Sequence, residues 1–96
     1  MQPQPSGERL TEEQFTIRAI ERLRKQGYAG IHSVYSGFND AFRIYFHSVD
    51  PVVATTRLAE QGKIEMRYAK GGAMLYKPGE APKKDVSGEA LKKMGL

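Results

Sequence analysis

Apolar residues recur at helical spacing through the first two-thirds of the chain and alternate near its end. Phe15, Thr16, Ala19, Ile20 and Leu23 form one stripe, which predicts a helix over Leu10 to Gly27. Thr11 is a suitable N-cap, Gln14 three residues on completes a capping box, and Leu10 with Phe15 occupies the staple positions. Glu12 and Glu13 suit the positive end of this helix, and Arg22, Arg24 and Lys25 suit its negative end. Gly27 supplies a left-handed stop.

Ile31 to Tyr35 reads as a brief strand. Ser36 then caps a second helix, with Phe38, Phe42 and Tyr45 as core and Ala41 and Phe46 bordering them. Asn39, Asp40, Arg43 and His47 fall on its outer face. Asp50-Pro51 opens a third helix that ends at Gly62, since Asp caps well and Pro is pre-shaped for the first turn. Around this helix Pro51, Ala54, Thr55 and Leu58 share one side, and Val53, Thr56, Arg57 and Glu60 share the other.

Ile64 to Lys70 and Ala73 to Lys77 alternate as strands of a hairpin turning at Gly71-Gly72. That turn sets Tyr68 opposite Leu75 and Arg67 opposite Tyr76. Ile64, Met66, Tyr68 and Leu75 then face the core, and Arg67, Met74 and Tyr76 face outward. A shift of one residue would exchange the faces. Residues 1–9 lack apolar side chains to bury and read as a disordered tail, 10–82 as the folded domain, and 83–96 as a basic tail able to form a short helix around Leu91 and Met94.

Composition narrows the function. With 96 residues the chain holds one small domain. It has no cysteine, which excludes disulfides and thiolate metal sites. It has no long apolar run and no signal pattern, so the expected setting is the cytoplasm, with no membrane partner. Of the Lys and Arg residues, six fall in 63–84 against two acidic residues, whereas 1–48 holds six against five. The positive excess sits on the hairpin and the segment after it, where a polyanion would feel it. His32 and His47 are the only histidines and lack metal-ligand spacing. No nucleophile–base–orienter pattern surrounds them, and Gly71-Gly72 lacks the following helix of a phosphate loop. Neither an enzyme nor a cofactor is expected.

The helix Asp50 to Gly62, continuing into Lys63 to Tyr68 and the hairpin strand Gly71 to Tyr76, resembles the winged helix-turn-helix family. The resemblance covers about Leu10 to Gly79. It implies an α+β winged helix with a three-helix core, a short strand and a C-terminal two-stranded antiparallel wing. It also implies a third helix lying in the major groove of double-stranded DNA, with the wing on the neighbouring backbone. On that footing Arg57 is the candidate for a guanine or phosphate, Thr56 for a base edge or phosphate and Val53 for a thymine methyl. Lys63, Arg67, Lys70 and Lys77 would hold phosphates. The implied role is that of a small transcription regulator. Against it, Glu60 shares the face with Arg57, and an Arg57–Glu60 pair on a solvated face is the plain reading of both. The competing function is a protein-interaction or homodimerisation module using Met74, Tyr76 and the C-terminal tail.

Overall fold

In the computed structural model, which describes residues 9–82 and 94–95, three helices pack on one face of a three-stranded antiparallel sheet. Helix α1 spans Glu12–Leu23, strand β1 Gly30–His32, helix α2 Phe38–Tyr45 and helix α3 Pro51–Glu60, followed by strands β2 Glu65–Ala69 and β3 Gly72–Tyr76. Strand β3 lies between β1 and β2.

Local chemistry accounts for the helix starts. Thr11 Oγ1 accepts from the Gln14 amide and the Gln14 side chain accepts from the Thr11 amide, closing the capping box. Asp50 accepts from the Val52 amide at 2.8 Å, with Pro51 in the first turn. At the end of α3 the Lys63 amide donates to Leu58 and the Gly62 amide to Ala59, and Gly62 takes φ 75°. This Schellman closure aims the chain into β2.

Helix α1 is shorter than its periodicity predicts. It stops at Leu23, and Gly27 (φ 88°) serves a separate turn closed by the Tyr28 amide on the Lys25 carbonyl. Strand β1 is also shorter, because residues 33–36 wind into a turn that starts α2. Gly37 rather than Ser36 is the N-cap of α2, although Ser36 Oγ still accepts from the Phe38 amide at 3.2 Å. Asn39, expected on the outer face, is buried beside this turn, and its amide donates to the Ser33 carbonyl at 2.9 Å.

The core joins Ile20 of α1, Phe38 and Phe42 of α2, Ala54 and Leu58 of α3, and Ile31, Ile64 and Leu75 from the sheet side. Phe15 stands between α1 and α2, 5.6 Å from Phe42 and 5.4 Å from Phe46 between centroids, both edge-on. Such tilted contacts suit the ring quadrupoles. Two buried hydroxyls are satisfied within their own helices: Thr16 donates to the Glu12 carbonyl and Thr55 to the Pro51 carbonyl, each at 2.8 Å.

The hairpin corrects the sequence reading. Its closing pair is Ala69↔Gly72, so the turn residues are Lys70 and Gly71, and Tyr68 pairs with Ala73 while Met66 pairs with Leu75. Tyr68 keeps the parity of Met66 but sits past the edge of the helices and is 97% exposed. Tyr76, expected outside, is only 8% exposed: its ring crosses Gly30, which lacks the side chain that would stop it. Tyr76 is therefore not available as a partner-facing residue. Met74 is half-buried. The tail helix expected within 83–96 lies outside the described residues, apart from exposed Met94 and Gly95. Of the N-terminal tail only Arg9 is described, with its guanidinium 5.1 Å from the centre of the Tyr45 ring.

Candidate nucleic-acid interface

Helix α3 divides as the periodicity of its apolar residues requires. Pro51, Ala54, Thr55 and Leu58 are buried, which leaves Val52, Val53, Thr56, Arg57 and Glu60 as the surface of the helix. Val52 and Val53 are 56% and 53% exposed, large values for aliphatic side chains. Beside them a concavity of about 290 Å³ opens between α3 and the hairpin, bordered by Val34, Val52, Thr56, Met66 and Tyr68. Tyr68 and Val52 are contact candidates that the sequence reading missed. Tyr68 was hidden by an alternation that assigned it to the core.

The cations are spread over three faces. Arg57 on α3 reaches back to Glu12 of α1 at 3.3 Å, and Lys63 just past α3 lies 3.7 Å from Glu13. The expected pairing of Arg57 with Glu60 is thus replaced by one across helices. Lys70 sits at the hairpin tip, exposed and with no carboxylate partner among the described residues. Arg67 pairs across the sheet with Met74, which pairs with His32, so these three share the face turned away from the helices. Arg67 lies 3.8 Å from Glu65. Lys77 is at the opposite end of β3 from the tip, bonded to Glu21 at 2.9 Å. The structure therefore gathers Val53, Thr56 and Arg57, with Lys63 and Lys70 toward either end of that surface, and sets Arg67 and Lys77 apart.

The hairpin tip is fastened. His32 Nδ1 accepts from the Val34 and Tyr35 amides, each at 3.1 Å, so its proton is on Nε2, which donates to the Lys70 carbonyl at 2.9 Å. The Tyr35 ring stacks on His32 with centroids 4.0 Å apart, and its hydroxyl abuts Gly71. Ser33 bonds Ala73 in both directions, amide to carbonyl at 2.7 Å and hydroxyl from amide at 3.1 Å.

No family model matches the chain, and neither does a curated protein or a solved structure. Among the described residues no cluster of His, Asp or Glu is placed to hold a metal ion, and no helix is long and apolar enough to cross a membrane.

The Lys77–Glu21 contact has a measurable signature. The hydrogen bond and charge of Lys77 hold the Glu21 carboxyl below its ordinary range. A carboxylate whose folded value is depressed contributes stability above its unfolded pKa and loses it as pH falls through the folded value. Carboxyl-carbon NMR is expected to show Glu21 titrating low in the native chain and returning toward the ordinary range in Lys77→Met. A low value that survives the substitution would assign the shift to another cause.

Proposed function

We propose that this chain is a winged helix domain that binds double-stranded DNA inside the cell, as a small transcription regulator. The element order α1–β1–α2–α3–β2–β3, with β1 beside β3, supports the fold reading. The observation that carries the binding reading is on α3: one side is wholly buried, and the other offers Val53, Thr56 and Arg57 next to a hairpin with Lys70 at its tip. A helix held this way can present its outer residues to base edges while flanking cations hold phosphates. The ion pairs of Arg57 and Lys63 do not oppose this, because surface pairs contribute little and exchange readily for phosphate.

Arg57 on α3, Lys63 just past it and Lys70 at the neighbouring hairpin tip are the phosphate contacts of this reading; Arg67 on the far face of the sheet and Lys77 at the other end of β3 are not. Three such contacts give a log–log salt slope of about −2.7, or roughly a 40-fold loss between about 50 and 200 mM salt. Fluorescence anisotropy with a mixed-sequence duplex measures it. Absence of binding at low salt overturns the proposal.

A second reading, a protein-interaction or homodimer module, is favoured by the exposed Val34, Val52 and Tyr68 around the α3–hairpin concavity, with exposed Val53 next to Val52 on the helix. It predicts self-association that salt does not weaken.

A further inference from the structure

We infer that the first turn of α3 reads thymine, through contact of Val52 and Val53 with the C5-methyl groups in the major groove. This rests on the DNA-binding reading above and names what that surface selects.

Helix α3 has the sequence Pro-Val-Val-Ala-Thr-Thr-Arg-Leu-Ala-Glu and contains no Asn or Gln. The bidentate adenine reader is therefore missing from it. Arg57, the one side chain on it suited to guanine, leans toward α1 and its 3.3 Å contact with Glu12. What the first turn offers a base edge is two adjacent isopropyl groups, 56% and 53% exposed. The apolar feature of a base pair in the major groove is the thymine methyl.

The surroundings set the orientation. Arg57 and Lys63 at the C-terminal end of α3 are phosphate contacts in this reading, and exposed Glu60 beside them disfavours closer approach there, which leaves base-edge contact to the first turn. Asp50 at the start is occupied by its bond to the Val52 amide at 2.8 Å. Tyr68, 97% exposed across the concavity from Val52, extends the apolar surface toward the hairpin. Lys70 at the tip supplies charge to the backbone beside it. The first turn of α3, next to the hairpin, thus offers base edges an aliphatic surface.

The test compares the full chain on two labelled duplexes of one A·T-rich sequence. One carries thymine and the other deoxyuridine at every such position, and affinity is read by anisotropy at a single low salt concentration. Removing a contacted methyl is expected to weaken binding by about fourfold. Val53→Ala, an exposed change that leaves the core intact, is expected to narrow the gap between the duplexes. Equal affinity for both duplexes, with binding intact, overturns the inference and leaves the DNA-binding reading standing. Failure to bind either duplex removes that reading and this inference together. Self-association by sedimentation would then assign the strip to a seam between copies.

Discussion

Replacing Phe42 by Ala is expected to destabilise the fold by about 3–5 kcal/mol. Phe42 is fully buried, with ring centroids 4.7 Å from Phe46, 5.6 Å from Phe15 and 5.7 Å from Phe38. Its removal opens a cavity that three rigid rings close poorly, so the lost transfer energy and the cavity term add. A domain of this size has a total stability of only about 4–11 kcal/mol. Urea denaturation followed by circular dichroism gives the loss directly. Val53→Ala, on the exposed face of α3, is the control and is expected within about 0.5 kcal/mol of the native chain. A loss below about 1 kcal/mol for Phe42→Ala would show that α2 does not seat its aromatic face where the structure puts it.

Gly30→Ala is the second large effect, and it acts on the sheet. A Cβ on Gly30 would stand 2.4 Å from the Leu75 carbonyl oxygen and 2.6 Å from Cδ1 of the Tyr76 ring. The first of these atoms is backbone in the central strand and cannot rotate away. Either β1 separates from β3 or Tyr76 leaves its place, and we expect about 3 kcal/mol of destabilisation. Gly27→Ala makes the comparison specific, since at Gly27 the backbone has φ 88° but a Cβ meets nothing within 4 Å. Only the left-handed strain applies there, about 1 kcal/mol. Similar losses for the two variants would reject the packing of Tyr76 across Gly30.

What local chemistry writes into the chain was legible in advance. The cap of α1, the cap and stop of α3 and the two faces of α3 depend on residues within a turn of one another, so Val53, Thr56 and Arg57 were placed on the outer face correctly. The hairpin register was not legible, because Gly71-Gly72 invites a turn at both glycines. Only Gly71 (φ 80°) lies in the turn. Gly72 is a strand residue whose missing Cβ makes room for Ser33, with Oγ 2.8 Å from where that atom would be. Its need arises from a distant stretch of the sequence, and no local pattern reports it. The burial of Tyr76 is another long-range effect, set by Gly30. So are the ion pairs that tie Arg57, Lys63 and Lys77 to Glu12, Glu13 and Glu21 of α1. The charge pattern shows the cations near the hairpin but not the carboxylates that already face Lys63 and Lys77.

The fastening of the hairpin tip bears on how a partner would be bound. Hairpin tips usually fluctuate, and a binder must then freeze them at a cost in conformational entropy. Here His32 holds the Lys70 carbonyl, Tyr35 rests on Gly71 and Ser33 is bonded to Ala73, so that ordering was completed when the chain folded. The backbone beneath Lys70 is then ordered before binding, and the exposed side chains of Lys70 and Tyr68 are what remains to be immobilised. The same preorganisation limits adaptability: a ligand whose contour differs from the resting hairpin meets a stiff surface, and shape becomes a source of selectivity alongside charge.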